Sequence, residues 1–346
     1  MTIKVFAAKK ILTMNPANPV CTHVAVQDGL ILGAGTLDEV AGWGDYELDE
    51  TFTNLVIIPG FVEAHAHIMA AGILQLPYVG FFDRKLADGS TAPGIKSYPA
   101  LIEKLKTEDA KLENPTAPLV AGGFDPIYFP DEPRLTRAHL DQVSTTRAIY
   151  LHHASGHLAT ANTAMLERNG VTRDLQIEGL GRSADGDLDG ELREPPAMGT
   201  CRDAMRIVHF ANSTESALRD FGAMARNVGI TTCTDLAGQS ILVPKMLSMW
   251  KEVTAEEGYP LRIAQYNIPA IPGAQADFDA VAEQFLELQR KATEKLRFPG
   301  VKFVLDGSIQ GFSALIKPPS YYRGEDHGQL LTVPDQFLDW LRPFHK

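Results

Sequence analysis

The second half of the sequence alternates between short apolar stretches, typical of β-strands, and longer amphipathic stretches, typical of α-helices. Strands are predicted over 229–235, 261–268 and 301–306. Between and after them, apolar residues recur with the spacing that places them on one face of a helix. The residues on these faces are Leu242, Met246, Met249 and Val253, then Phe278, Val281, Phe285 and Leu288, and finally Phe337, Leu338 and Leu341. Such alternation predicts a parallel sheet with helical crossovers, closed as a (β/α) barrel or left open.

An earlier apolar run leads into two histidines. Residues 55–58 read LVII, as expected of a strand covered on both faces, and the chain continues PGFVEAHAHI. His65 and His67 would point the same way on a strand, because side chains alternate between its faces. At the carboxyl end of a parallel strand both rings would face the usual place of active sites, and both could reach one cation at ~2.0–2.1 Å. A His-x-His pair alone is also compatible with no metal.

The N-terminal region, residues 1–54, is predicted to be a small β module. Its strands are expected at Lys4–Ala8, His23–Gln27 and Leu30–Ala34. The last two flank Asp28-Gly29, a dipeptide that favours a two-residue hairpin turn. A few strands alone are marginally stable, so the module is expected to be half of a composite β domain of sandwich type.

The rest of the chain divides into barrel and insertion. Residues 55–117 are expected to hold the first barrel strand and its helix, near 101–112. Residues 118–208 fit the alternation poorly and are interpreted as an α+β insertion with short strands in LVAGGFD and AIYLHHAS and a hairpin in GRSADGDLDGELRE. Residues 209–346 would supply barrel strands two to four with their helices.

The count of barrel strands defines the predicted fold class. Four are predicted in this chain, whereas a (β/α)8 barrel needs eight, in about 250 residues before insertions. The prediction is therefore an α/β fold, a (β/α)8 TIM-type barrel of which the chain holds about the first four strands. The remainder of the barrel is expected to be absent from it.

Charge and cysteine content narrow the class of partner. A formal net charge of −11 offers no basic field for phosphates, which argues against nucleic acid and anionic membrane as partners. Three scattered cysteines are too few for a disulfide framework and indicate a reducing compartment. No apolar run approaches the ~20 residues that span a bilayer. A cytoplasmic protein that binds a small molecule is expected.

Lys302 is the second unusual residue. If VKFVLD is a strand, Lys302, Val304 and Asp306 share its inward face. A lysine and an aspartate in such a position are costly unless they are paired or bound to something. One reading is a buried ion pair or a lysine that reaches the surface. The other is a lysine of lowered pKa that acts as a nucleophile or, after reaction with carbon dioxide, as a carbamate that bridges metals.

Four stretches carry a resemblance to a known family. NLVIIPGFVEAHAH resembles the first-strand signature of the amidohydrolase superfamily. The other three resemble its amidohydrolase family 3 branch, the N-substituted formamide deformylase-like hydrolases. They are ASGHLATANTAML, ADGDLDGELRE and VKFVLDGSIQGFSALIKPPSYY. The motifs follow the family's order, and the resemblance runs from about residue 3 to the end of the chain.

The resemblance implies a metal site. His65 and His67 would be ligands of a catalytic divalent metal, with zinc expected, and one or two ions would be bound. Lys302 would be the carboxylated lysine that bridges two metals in the binuclear members. The family's further ligands, two histidines and an aspartate that is also the expected general base, have no counterpart here and are expected beyond Lys346.

Substrate contacts are expected from four further residues. His153 and His157 belong to the HHASGH stretch of the insertion, which the resemblance places beside the substrate. Asp125 in AGGFDP could line the same wall, and Asp306 would close the fourth strand near the substrate. A satisfied structural histidine is the alternative for His157, and a simple turn is the alternative for Asp125.

The function implied is metal-dependent hydrolysis of a carbon–nitrogen bond, such as a non-peptide amide, through a metal-activated water. Two alternatives stay open. The chain could be a truncated fragment without activity. It could instead be a half-barrel that completes its site with another chain, since a fourth strand with an exposed edge favours association. A homo-oligomer or an association with the missing half is therefore expected.

Overall fold

The computed structural model describes residues 2–212, 214–236, 243–269, 276–321, 328, 330–332 and 334–345. The strands are β1 (Ile3–Leu12), β2 (Val20–Gln27), β3 (Leu30–Gly35), β4 (Tyr46–Ile57), β5 (Phe61–Ala66), β6 (Arg84–Lys85), β7 (Thr91–Ala92), β8 (Leu119–Phe124), β9 (Ile149–His153), β10 (Leu158–Ala161), β11 (Leu180–Arg182), β12 (Leu188–Arg193), β13 (Ile230–Asp235), β14 (Arg262–Asn267) and β15 (Leu296–Val301). The α-helices are α1 (Leu37–Ala41), α2 (Tyr98–Asp109), α3 (Arg137–Asp141), α4 (Thr163–Arg168), α5 (Glu194–Met198), α6 (Arg202–Asn212), α7 (Glu215–Asn227), α8 (Pro244–Ala255), α9 (Phe278–Gln289) and α10 (Pro334–Leu341). Short 3-10 helices span Ile68–Gln75, Pro126–Tyr128 and Arg342–His345. The chain forms two compact units, Met1–Phe61 and Val62–Lys346.

The N-terminal unit is a four-stranded sheet in the order β3-β2-β1-β4. β2 pairs antiparallel with β1 and with β3, whereas β4 runs parallel to β1. The hairpin predicted at Asp28-Gly29 is confirmed: both residues have positive φ, 52° and 78°, as a two-residue turn of the primed type requires. Ile3, Val5 and Val40 belong to the small core of this unit.

The apolar run at 55–58 is not the first strand of the parallel sheet, and that prediction was wrong. It falls at the end of β4, where Val56 pairs with Lys10 and Ile57 with Ile11. Leu55 and Val56 are 56% and 54% exposed, so the strand is not covered on both faces. The strand that carries the histidines is β5, and it starts only after Pro59 and Gly60, a pair that interrupts extended pairing.

Residues 118–208, which were predicted to be an insertion, contain a five-stranded mixed sheet in the order β11-β12-β10-β9-β8. β8 and β9 are parallel, and the other pairs are antiparallel. The strands predicted at 119–125 and 148–155 and the hairpin β11–β12 are confirmed. The helix predicted near 101–112 forms as α2, but it was wrongly assigned to the barrel. Its residues Leu101 and Leu105 are buried against Leu119 and Phe124 of the insertion sheet.

A second α/β layer carries the strands predicted from the alternation. Its sheet has the order β15-β14-β13-β5, and β14 is parallel to both β13 and β15. Strands predicted at 229–235 and 261–268 form at 230–235 and 262–267, each followed in sequence by a helix. Trp250 and Val253 of α8 and Phe285 and Leu288 of α9 are buried in its core. Leu242, expected on the face of α8, lies outside the described residues. The α/β class is confirmed.

The strand predicted at 301–306 lies earlier in the chain. β15 spans 296–301, and Lys302 follows its last residue. The ladder ends here because the neighbouring strand β14 ends at Asn267, whose carbonyl oxygen accepts from the Lys302 amide at 2.8 Å. Lys302, Val304 and Asp306 therefore do not share a strand face. Lys302 instead stands at the carboxyl edge of the sheet.

All three cysteines, Cys21, Cys201 and Cys233, are buried free thiols. Among the described residues, no helix has both the length and the apolar character that crossing a bilayer would require.

Two leucines of α9 provide a matched test of the core. Leu288 is 3% exposed in the cluster around Trp250, and Leu286 on the same helix is 53% exposed. We expect Leu288→Ala to lower the free energy of unfolding by about 2–5 kcal/mol, because it removes buried methyl groups and leaves a cavity. Leu286→Ala should change it by no more than about 0.5 kcal/mol. Urea unfolding followed by circular dichroism measures both, and equal losses would contradict the packing of this helix.

Candidate active site

The rings of His65 and His67 converge at the end of β5. Their Nε2 atoms are 3.3 Å apart, and the ring centroids are 5.3 Å apart. Two nitrogen ligands at ~2.0–2.1 Å from a tetrahedral ion are separated by about 3.3 Å, so this spacing matches a shared cation. Glu63 stabilises the local backbone, since its Oε1 accepts from the His65 amide at 3.0 Å. The predicted pairing of the two rings is present.

Electrostatics favours the neutral, metal-binding form of His67. The pKa of His67 is lowered to about 4, chiefly because the surrounding protein desolvates the ring, with a smaller electrostatic contribution from Lys302, His65 and His157. His67 is nevertheless exposed to solvent. Histidine binds a metal only when deprotonated, so this environment keeps the lone pair of His67 available.

Lys302 lies close enough to His67 to influence the pKa of that ring. Its pKa is lowered, chiefly by desolvation, while the charge of Asp235 acts in the opposite direction. A lower pKa increases the fraction of the uncharged amine, which is the form that reacts with carbon dioxide or acts as a nucleophile. The position at a strand end, rather than inside a strand, leaves the side chain at the edge where β5 also ends.

Asp235 is a residue that the sequence analysis missed. It is the last residue of β13 and is fully buried. Its Oδ1 accepts from the Ile68 amide at 3.3 Å, and its Oδ2 accepts from Gln265 Nε2 at 3.3 Å. The signal was present, because GITTCTD ends in a carboxylate at the carboxyl end of a predicted parallel strand.

Glu194 is the second missed residue, and its partner is His157. Its side chain is fully buried, and Oε2 accepts from His157 Nδ1 at 2.7 Å. Its Oε1 accepts from Ser313 Oγ at 2.6 Å. Glu194 lies in the GELRE stretch, but only the fold shows that this hairpin meets the loop after Lys302.

The remaining predicted substrate residues occupy more enclosed positions. Asp125 is buried at the start of the short helix 126–128, where it accepts from the Ile127 amide at 3.2 Å, and burial raises its pKa. His153 is buried against Phe124, and its Nε2 lies 2.9 Å from Thr160 Oγ1. Asp306 braces the loop after Lys302 by accepting from the Leu315 amide at 3.0 Å. Their roles toward substrate stay predictions.

The side chains at this site determine whether it could bind a metal ion. Within the described ranges, no three His, Cys, Asp or Glu side chains cluster in a way that could hold an ion. The described side chains that could bind an ion are therefore the imidazoles of His65 and His67, with Lys302 nearby. Two nitrogen donors 3.3 Å apart, one of them on a ring held neutral, fit a divalent metal ion.

Comparison with known proteins identifies the family. A sequence profile described as the amidohydrolase family matches residues 53–336. The chain belongs to the amidohydrolase family. This amidohydrolase is 23% identical to YtcJ of Bacillus subtilis (strain 168) over 304 residues, which cover 86% of the chain and 52% of YtcJ. It is 27% identical to the N-substituted formamide deformylase of Arthrobacter pascens over 271 residues, 74% of the chain and 46% of that protein. The chain thus spans about half the length of the curated relatives it matches.

Solved structures with the same fold include two from archaea. A metal-dependent hydrolase from Pyrococcus horikoshii aligns with a TM-score of 0.60 and 16% identity, covering 99% of this amidohydrolase and 63% of that chain. A metal-dependent hydrolase from Pyrococcus furiosus gives 0.56 and 18%, covering 99% and 65%. At these identities the likeness shows the fold.

Two buried histidines make this amidohydrolase sensitive to acid. Desolvation lowers the pKa of His152 to about 4 and that of His153 to about 3, from an ordinary value of 6.5. The unfolded chain therefore binds more protons than the folded chain as the pH falls below 6.5, so folding stability is lost. We expect a slope of up to about 1.4 kcal/mol per pH unit for each ring. Urea unfolding across this window measures it, and His152→Gln should flatten the slope. An unchanged slope in that variant would contradict the buried, neutral state of His152.

Proposed function

We propose that this amidohydrolase hydrolyses a carbon–nitrogen bond of a small, non-peptide amide-type substrate with the help of a divalent metal. The single observation that carries the proposal is the 3.3 Å separation of His65 Nε2 and His67 Nε2 at the carboxyl end of β5. The Arthrobacter relative is an N-substituted formamide deformylase, which supports an amide-type substrate.

The metal proposed is zinc, as one ion or two. His65 and His67 would hold it, and Lys302 would add a carbamate oxygen after carboxylation. When bound, such a cation supplies a water of lowered pKa and polarises the carbonyl group of the substrate. The chain's own contribution is to keep the His67 ring neutral and to place the two Nε2 atoms 3.3 Å apart.

Lys302 is proposed to act as a carboxylated lysine rather than as half of an ion pair with Asp235. Asp235 already receives hydrogen bonds from the Ile68 amide and the Gln265 side chain. The lowered pKa of Lys302 favours the uncharged amine. A carbamate would convert this cationic group into an anion, which would offset the charge of a metal held by neutral histidines.

The finer architecture is also a proposal. The sheet β15-β14-β13-β5, with helices following its strands, would be the first four strands of a (β/α)8 barrel. The N-terminal sheet would be part of a composite β domain, and the strands β8–β12 would form an insertion beside the site. A cytoplasmic location, a homo-oligomer and association with a missing half stay predictions. The family match gives no support to an inactive fragment.

Metal binding depends on the two histidines if the proposal is right. We expect the purified chain to bind zinc, and His65→Ala and His67→Ala each to weaken binding by more than about 100-fold, since even outer-shell partners cost ~10–100-fold. Calorimetric titration with zinc, together with elemental analysis of the chain prepared without a histidine tag, measures this. His345→Ala, in the exposed 3-10 helix 342–345, is the control and should bind as the wild type does. If all variants bind zinc with equal affinity, His65 and His67 are not metal ligands.

Carboxylation of Lys302 can be observed directly. We expect ¹³C NMR of the zinc-loaded chain, equilibrated with ¹³C-bicarbonate, to show one protein carbamate signal. Lys302→Arg should abolish it, because a guanidinium does not lose its proton and cannot add carbon dioxide. The control Lys317→Arg, at an exposed position, should leave the signal intact. A carbamate signal that survives in Lys302→Arg would place the modification elsewhere.

A further inference from the structure

Both peptide groups of His67 are hydrogen-bonded to the end of β13. The carbonyl oxygen of Ala66, on the N-terminal side of His67, accepts from the Leu236 amide at 2.9 Å. The amide of Ile68, on the C-terminal side, donates to Asp235 Oδ1 at 3.3 Å. Because a peptide group is planar, fixing the two that flank a residue restricts its φ and ψ and so the direction of its side chain. The backbone of His67 is therefore anchored on both sides.

The carboxylate of Asp235 is itself held in place. Its Oδ2 accepts from Gln265 Nε2 at 3.3 Å, and both residues are 0% exposed. Asp235 and Gln265 are partners in the parallel ladder between β13 and β14, so their side chains lie on the same face of the sheet. Rotation of this carboxylate would break hydrogen bonds that water cannot replace in a buried position. The acceptor of the Ile68 amide therefore keeps one orientation.

The strand that holds Asp235 lies between the two parts of the proposed metal site. In the sheet order β15-β14-β13-β5, one neighbour of β13 is β5, which carries the histidines, and the other is β14. At the end of β14 the carbonyl oxygen of Asn267 accepts from the Lys302 amide at 2.8 Å. Asp235 bonds to both neighbours, to the Ile68 amide after β5 and to Gln265 of β14. It therefore stands at the junction of the two strand ends.

Asp235 acts on the site in two ways, through its hydrogen bonds and through its charge. Its charge opposes the desolvation that lowers the pKa of Lys302. Its hydrogen bond to Ile68 acts on a peptide group of His67 itself. A bond to the backbone of His67 is the more direct influence on the 3.3 Å spacing between His65 Nε2 and His67 Nε2. A carboxylate and an amide of the same shape distinguish the two influences.

We propose that Asp235 is a positioning residue of the metal site; the inference rests on the proposed binding of a divalent metal by His65 and His67. Its hydrogen bond to the Ile68 amide keeps the His67 backbone in the conformation that places the two Nε2 atoms 3.3 Å apart. Residues that orient metal ligands usually bond to the ligand's side chain. Here the support reaches the ligand through its backbone.

Two substitutions at position 235 test this role by calorimetric titration of the full chain with zinc. Asp235→Ala removes both acceptor atoms, and we expect it to weaken zinc binding by about 10–100-fold, as loss of a residue that orients a ligand does. Asp235→Asn keeps an acceptor for the Ile68 amide. The Gln265 amide can turn to offer the new Nδ2 donor its Oε1, which has no hydrogen-bond partner among the described residues. We expect Asp235→Asn to bind zinc with nearly the wild-type affinity.

The matched control is Asp141→Ala, in the region 118–208. Like Asp235, Asp141 accepts from one backbone amide and one side chain, here the amide and the hydroxyl of Thr163 at 3.0 and 2.7 Å. We expect Asp141→Ala to be less stable than the wild type and to bind zinc with unchanged affinity. Urea unfolding establishes that each variant is folded under the conditions of the titration. An equal loss of affinity in Asp141→Ala would assign the effect to general destabilisation and overturn the positioning role.

Cobalt provides a readout of ligand geometry that is independent of affinity. The ligand-field absorption of bound Co²⁺ depends on the number and arrangement of its ligands, and it is recorded here at a saturating cobalt concentration. We expect Asp235→Asn and Asp141→Ala to give the wild-type spectrum and Asp235→Ala to give an altered one. A wild-type spectrum and wild-type zinc affinity in Asp235→Ala would overturn the proposal. Equal losses of zinc affinity in Asp235→Ala and Asp235→Asn would also overturn it, since they would assign the effect to charge.

Gln265→Leu decides the question if Asp235→Ala does not fold. It removes only the hydrogen bond to Asp235 Oδ2 and places an apolar side chain in a buried position. We expect a smaller loss of zinc affinity than in Asp235→Ala, and wild-type affinity with a wild-type cobalt spectrum would overturn the positioning role. A wild-type chain that binds neither zinc nor cobalt would overturn the proposed metal site, whereas the outcomes above overturn the role of Asp235 alone.

Discussion

The hydrogen bonds of Asp235 hold together the strand ends on which the candidate site depends. This buried carboxylate is at the end of β13. It accepts one hydrogen bond from the Ile68 amide, just beyond the histidines, and another from the Gln265 side chain of β14. The Leu236 amide adds a bond of 2.9 Å to the Ala66 carbonyl oxygen. Because parallel strands end at the same edge of a sheet, these contacts place His65, His67 and Lys302 at one edge. Loss of Asp235 would leave buried donors unpaired at the point where the site is built.

Local sequence patterns predicted the parts of the fold that depend on neighbouring residues. The Asp28-Gly29 hairpin and the strands β13 and β14 with their helices follow from turn chemistry and periodicity, and the structure agrees within a residue or two. The apolar run at 55–58 shows the limit. Four apolar residues in succession cannot reveal whether they lie inside a parallel sheet or on the exposed strand of another sheet, because both environments accept β-branched side chains.

The site was predictable where a motif is local and was missed where partners are distant in sequence. His65 and His67 are two residues apart, and strand geometry alone predicts that they converge. Glu194 becomes recognisable only when the fold brings it to His157 and to Ser313, more than a hundred residues later. Lys302 was predicted to be a site residue because it was placed on the inner face of a strand, and that placement was wrong. Its chemistry comes from the end of β15, where the partner strand stops, rather than from the inner face of a strand.

X-ray absorption spectroscopy of the zinc-loaded chain would show whether His65 and His67 share one divalent metal. If they do, the spectrum will contain nitrogen or oxygen neighbours at ~2.0–2.1 Å with the multiple-scattering pattern of two imidazoles. The pattern should disappear when both histidines are replaced by alanine. Zinc surrounded by sulfur at ~2.3 Å, or by oxygen without imidazole, would contradict the assignment of the site.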